Sequence, residues 1–238
     1  WFAEQNETFV NHNNGRTGTR PTKSHINTTA GKTIFDWWNG LYQDGLYLNP
    51  GIEAWSKAKQ AFLSEKVGML ITSTSSVSSV TAGGKKQGFS VKTADLPVPK
   101  GNREGVVVGG ASVWIPKGLS NGQKNAAADF VAWLSQPKQQ VRWHKNTGYF
   151  PVRKDSVNTL QSNGWFDQHP NFKTAFDQLQ ATRSTPATQG AALGPFPKTR
   201  TVIENAFVST TQGTSVDSAL SSAESKINRA IQNYNQSN

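Results

Sequence analysis

The chain has no cysteine, and nowhere in its 238 residues does an apolar run approach the roughly 20 residues that a membrane-spanning helix requires. The missing thiols exclude disulfides and thiolate metal sites, yet they identify no compartment, since many exported bacterial proteins also lack disulfides. Histidine is scarce too. His12, His25, His144 and His169 stand far apart, none with a partner at the i, i+4 spacing of a helical zinc site, so neither a metal nor another cofactor is expected. Acidic residues number 15 against 25 Lys and Arg, giving a net charge of +10 and a pI near 9.9, a balance suited to an anionic ligand or surface. The basic residues are scattered, however. The densest groups, Lys85-Lys86 and Arg153-Lys154, are too short to track a phosphate backbone, and nucleic acid is not an expected partner.

Catalytic signatures are also missing. There is no Gly-x-Ser-x-Gly elbow, and Gly110-Ala111-Ser112 lacks the second Gly that lets a nucleophile turn sharply between strand and helix. Gly31-Lys32-Thr33 ends like a phosphate-binding loop, but position 26, where that loop needs Gly, is Ile. No enzyme activity is expected.

What is present is a mixed pattern with many helices. Helical spacing predicts a helix from about Asn27 to Gly45, with Ile34, Trp37, Trp38, Leu41 and Tyr42 on one stripe, and another over 53–65 with Trp55, Ala58, Phe62 and Leu63 inward. Trp133 is likewise read as core, on a helix over 125–135. A following helix carries Pro137 in its first turn and Gly148 at its C′ position. Further helical segments fall near Val157, over 172–179 and over 199–209. The final helix has Val216, Leu220, Ala223, Ile227, Ala230 and Tyr234 at helical spacing, with Thr214 and Asp217 as its start box. Apolar runs at 67–71, 89–96 and 106–115 read as strands.

Four segments invite a binding role. The hydroxyl cluster Ser73-Thr74-Ser75-Ser76 stands at a strand end before a short helix, where open α/β sheets place ligands and where free amides favour anions. Gly109-Gly110 permits close approach of a ligand, or only a bulge. Tyr149 follows Thr147-Gly148 and offers an aromatic face, or is simply core. Arg200 follows the loop Gly194-Pro195-Phe196-Pro197 and can grip a phosphate, or be merely solvated.

Taken in order, these segments resemble family 1 extracellular solute-binding proteins, most closely the glycerol-3-phosphate-binding proteins of glycerophosphodiester importers. The anchors are "VGMLITSTSS", "VVVGGASVWIPK", "FVAWLSQPKQQVRWHKNTGYFPVRKDS", "GWFDQHP" and "LGPFPKTRTVIENAF". The resemblance implies an α/β fold of the type II periplasmic-binding-protein kind, with two lobes closing on a ligand. This chain would hold mostly the second lobe, helix-rich with a short mixed sheet. It implies that 1–109 belong to the second lobe, that 110–150 cross the hinge and supply helices to the first lobe, and that 151–238 return. The natural protein is expected to continue upstream of Trp1, with its export signal there, and to work outside the cytoplasm as a monomer with the permease subunits of an ABC importer. The implied ligand is glycerol 3-phosphate or a glycerophosphodiester such as glycerophosphocholine, and the alternative is a sugar or oligosaccharide. Ligand-binding positions carried over by the resemblance are Ser76, with Ser75 and Thr74 nearby, Gly109 or Gly110, Tyr149, Arg200 and Trp1. Ser75 stands where the family pattern has Gly.

Overall fold

The computed structural model describes residues 1–99 and 104–238. In chain order its helices are α1 (Thr29–Gln43), α2 (Trp55–Leu63), α3 (Val77–Gln87), α4 (Asn121–Leu134), α5 (Pro137–Thr147), α6 (Lys154–Ser162), α7 (Trp165–Gln168), α8 (Thr174–Gln180), α9 (Phe196–Thr211) and α10 (Val216–Ser237). Short 3-10 turns lie at Ala3–Gln5, Thr74–Ser76 and Pro170–Phe172. None of the described helices is long and apolar enough to cross a membrane. The chain divides into two compact units. The first comprises Trp1–Ala58, Leu96–Val108 and Gln178–Asn238, and the second Lys59–Asp95 and Gly109–Asp177.

The core of the first unit is helix on helix. α10 presents Leu220, Ala223, Ile227 and Ile231 at 3- and 4-residue spacing, all buried, against Ile34 and Phe35 of α1 and Val202 and Ala206 of α9. The start of α1 is close-packed on its own lead-in: a Cβ at Gly31 would fall only 1.8 Å from the Ile26 carbonyl oxygen. The cap of α10 lies one residue beyond the expected Thr214. The Ser215 hydroxyl accepts from the Ser218 amide, and Asp217 instead pairs with Lys32 of α1. Ile231, not Ala230 or Tyr234, continues the buried stripe, because four residues from Ile227 return to the core face.

Before α1, residues His12 to Gly15 wind left-handed, with φ of 56°, 56°, 63° and 76°. Such a conformation costs a non-glycine residue about 1–2 kcal/mol, and Asn tolerates it best. Asn14 compensates: its buried side-chain oxygen accepts from the amides of Phe9 and Val10, and its Nδ2 donates to the Pro186 carbonyl. The Asn14 carbonyl in turn accepts from the Ala192 amide, tying this turn to the loop that leads into α9.

In the second unit α5 packs on α3 and α6, and α6 on α7, burying His144, Leu160 and Phe166. Pro137 starts α5 and Gly148, in the left-handed region, stops it, both as the sequence predicts. α4 begins at Asn121, four residues before the expected start, because Ser120 and Gln123 form a reciprocal capping box.

No strand ladder forms among the described residues, so the short mixed sheet expected from 67–71, 89–96 and 106–115 is not found there. Among the described residues the one β-type pairing is the antiparallel bridge Val10–Ser24. A strand needs a paired neighbouring backbone, and none of these segments forms a ladder among the described residues. Met69 and Trp114 are 87% and 84% exposed, and Val108, Val113 and Ile115 are exposed too. Side chains satisfy the backbone instead. Asn171 accepts from the Thr93 amide and donates to the Val91 carbonyl, and Thr182 Oγ1 accepts from the Val106 amide. Two tryptophans expected in the core are also exposed, Trp55 at 62% and Trp133 at 44%. Trp55 sits in the first turn of α2, whose only buried residue is Ala61, and Trp133 stacks on Phe130 along α4, which buries no residue.

Ile227→Ala is expected to cost about 2–5 kcal/mol in urea unfolding, whereas Lys226→Ala on the exposed side of the same helix should stay within about 0.5 kcal/mol.

Candidate functional site

The hydroxyl cluster caps a helix and keeps donors to spare. Ser73 is the N-cap of the 3-10 turn, its oxygen accepting from the Ser75 amide at 3.3 Å and from the Ser75 hydroxyl at 3.1 Å. Ser76 Oγ lies 3.3 Å from Thr72 Oγ1, and α3 follows directly at Val77. Thr74, Ser75 and Ser76 are only partly buried. A cluster of hydroxyls at the start of an 11-residue helix favours oxyanions, because the dipole and the free amides of the first turn act together.

Tyr149 comes to the same place. Gly148 has φ of +101°, and a Cβ there would lie 2.3 Å from the Thr74 carbonyl oxygen and 3.0 Å from Val77. The Thr147-Gly148-Tyr149 turn is therefore seated on the hydroxyl cluster, although some 70 residues separate them in sequence. The turn is hydrogen-bonded at each residue: Thr147 Oγ1 donates to the Trp143 carbonyl at 2.7 Å and accepts from the Tyr149 amide at 3.1 Å, and the Gly148 amide donates to the His144 carbonyl at 2.8 Å. The Tyr149 ring, 40% exposed, stands 6.4 Å from the ring of Trp143.

Gly109 and Gly110 lie in the second unit in an exposed, irregular stretch, and a Cβ at either would meet nothing within 4 Å. The close contact expected of this pair is therefore not made by the chain itself.

Trp1 and Arg200 belong to the first unit. Trp1 donates its indole N–H to the Pro97 carbonyl at 2.7 Å and packs edge-on against Trp37 and Trp38 at 5.5 and 5.2 Å. Trp38 continues to Phe207 of α9 at 5.9 Å, so Trp1 and the helix that carries Arg200 share one aromatic cluster. Arg200 is exposed in the second turn of α9 and has no ion-pair partner among the described residues. An exposed, uncommitted guanidinium on a rigid helix can receive a carboxylate or phosphate in two-pronged fashion. No group of His, Asp or Glu able to hold a metal occurs among the described residues.

Two residues of the second unit escape a reading by motif. His144, sought only as a metal ligand, is fully buried and bonds through Nδ1 to the Tyr149 carbonyl at 2.9 Å. Burial holds its pKa below the ordinary value of 6.5, opposed by that carbonyl and assisted by Lys145. Asn171 pins residues 91–93 through bonds to Val91 and Thr93. The amide at 171 has no motif around it.

Residues 3–174 match the model of a family described as bacterial extracellular solute-binding protein. The chain is 29% identical over 231 residues to the sn-glycerol-3-phosphate-binding periplasmic protein UgpB of Brucella abortus (strain 2308), covering 96% of this chain and 52% of that protein. It is 27% identical over 238 residues to the UgpB of Rhizobium meliloti (strain 1021), covering 98% and 54%. The chain thus spans about half the length of the curated relatives it matches. Among solved structures it is similar to UgpB from Mycobacterium tuberculosis in complex with glycerophosphocholine, with a TM-score of 0.71 and 21% identity over 88% of this chain and 50% of that one. It is also similar to the cyclic alpha-maltosyl-1,6-maltose binding protein from Arthrobacter globiformis, with a TM-score of 0.69 and 24% identity over 97% and 54%. These likenesses place the chain in the fold of solute-binding proteins.

Gly148→Ala should destabilise by more than the ~1–2 kcal/mol of the left-handed strain alone, because the new methyl also strikes the Thr74 carbonyl; a chemical denaturation curve measures it. The lowered His144 pKa means that the unfolded chain takes up the proton first as pH falls. The contribution is therefore fully present above about pH 6.5 and lost as pH drops through the folded value. Unfolding midpoints collected between about pH 7.5 and 5 should fall in the wild type and fall less in His144→Asn.

Proposed function

We propose, for a chain that belongs to the bacterial extracellular solute-binding proteins, that it is the substrate-binding component of an ABC importer and captures glycerol 3-phosphate or a glycerophosphodiester such as glycerophosphocholine. The observation that carries this reading is the seating of the Thr147-Gly148-Tyr149 turn on the Thr74–Ser76 hydroxyl cluster. That contact gathers hydroxyl donors, a helix start and an aromatic face within the second unit, and in the first unit Arg200 is an uncommitted guanidinium of the kind that grips a phosphate. Ser76, Ser75 and Thr74 would donate to phosphate or glycerol oxygens. Gly109 and Gly110 would let a ligand approach the backbone, and Tyr149 and Trp1 would supply ring faces to its apolar or cationic part.

The same reading assigns no catalysis. It places the protein outside the cytoplasm, as the names of its relatives say of them, working as a monomer with permease subunits in the membrane. In a two-lobe architecture, 1–109 and 151–238 would form most of the second lobe and 110–150 would join the first. The exposed apolar run Val113–Ile115 and the exposed rings of Phe130 and Trp133 support that assignment, because such surface is normally covered.

A second reading, capture of a sugar or oligosaccharide, is favoured by the Trp1–Trp37–Trp38–Tyr47 ring cluster, whose rings meet edge-on or tilted, since aromatic faces suit sugar rings. The two are separated by isothermal titration of the full-length protein. The phosphate reading expects heat from glycerol 3-phosphate or glycerophosphocholine and a loss of about 2–5 kcal/mol in Arg200→Ala, by analogy with truncated buried charge pairs. Heat from maltose-type sugars with none from either phosphate would contradict it.

A further inference from the structure

His144 is the one buried imidazole of the second unit, and nothing in the proposed capture of ligand uses it directly. Its two nitrogens have opposite surroundings. Nδ1 lies 2.9 Å from the Tyr149 carbonyl, which can only accept, so this nitrogen carries the proton. Nε2 is buried without a partner, and the ring meets those of Phe166 and Phe172 edge-on at 5.5 and 5.6 Å. A proton on Nε2 would be an unsatisfied donor in an apolar cage, so one neutral tautomer is selected. The backbone closes a second link, since the Gly148 amide donates to the His144 carbonyl. His144 thus holds the turn from both ends of its own residue, and that turn rests on the Thr74 carbonyl.

We propose that His144 is a positioning residue for the ligand site: it fixes the Gly148-Tyr149 turn and, through the contact of Gly148 with Thr74, the orientation of the Thr74–Ser76 hydroxyls, without touching the ligand. The inference rests on the reading above in that it takes Tyr149 and the hydroxyl cluster to be ligand-facing. It assigns a role to the buried cage formed by α5, α7 and the Pro170–Phe172 turn: the cage fixes the tautomer, the tautomer fixes the Tyr149 carbonyl, and the carbonyl fixes the turn.

The test uses the full-length protein and two substitutions. His144→Phe fills the cage but removes the donor, whereas His144→Asn keeps an N–H near the Nδ1 position. In amide hydrogen exchange without ligand, His144→Phe should exchange about tenfold faster at both Gly148 and Ser76, and His144→Asn within about threefold of wild type. Affinity for glycerophosphocholine should follow the same order. Unchanged exchange at Ser76 in a folded His144→Phe protein, or equal losses in both variants, overturns the proposal. A wild type that binds neither glycerophosphocholine nor glycerol 3-phosphate defeats the ligand reading instead, while the exchange comparison still decides the positioning role. Should either variant fail to fold, nitrogen-15 spectra of the wild-type imidazole decide it. They should show the Nδ1–H tautomer throughout about pH 6 to 8, and an Nε2–H tautomer sinks the proposal.

Discussion

A single backbone contact organises the candidate site: Gly148, with φ of +101°, lies so close to the Thr74 carbonyl that no side chain fits between them. A residue with a Cβ would meet both steric exclusion and left-handed strain, so the approach is available only to glycine. The second unit's part of the site depends on it. The end of α5 can deliver Tyr149 beside the hydroxyl cluster because the turn that follows has nothing in the way. His144 then fixes that turn from inside, through one hydrogen bond from a ring whose other nitrogen is sealed among aromatics.

The first unit follows the same logic with different parts. Its core is a conventional helical interface, with α10 buried along one stripe against α1 and α9. What positions its loops is an unfavourable conformation held by compensation. The left-handed run His12–Gly15 is bolted by Asn14 to residues 9, 10, 186 and 192, and Arg16 donates to the carbonyls of Gln189 and Gly190. Those bonds secure the loop ahead of α9, whose second turn carries Arg200. Helix, secured loop and exposed guanidinium together present a charge from a well-anchored element.

The helices were largely legible in the sequence, because each is announced by local physics: Pro137 at a first turn, Gly148 past a last one, and the period-3.6 stripe through Leu220, Ala223 and Ile227. Their fine placement was less so. Ser120 and Ser215 cap their helices through hydroxyl-to-amide bonds whose geometry sequence spacing alone does not distinguish from neighbours such as Thr214. The strands were misread for a different reason. Runs such as 67–71 and 106–115 are apolar enough for a sheet, but a strand is a property of a pair, and among the described residues neither run is paired in a ladder. At the site, the hydroxyl cluster and the Tyr149 turn were each visible as motifs. Their meeting was not, since it depends on a tertiary approach across some 70 residues. His144 was overlooked because histidine was judged as a metal ligand, by its sequence neighbours, when its work is done by one backbone carbonyl five residues on.

The most direct test is a crystal structure of the full-length protein grown with glycerophosphocholine. The account predicts phosphate or glycerol oxygens within hydrogen-bonding distance of the Thr74–Ser76 hydroxyls, with the Tyr149 ring against the ligand and Gly148 still seated on Thr74. A ligand bound elsewhere, with the hydroxyl cluster and Tyr149 both facing solvent, would contradict it.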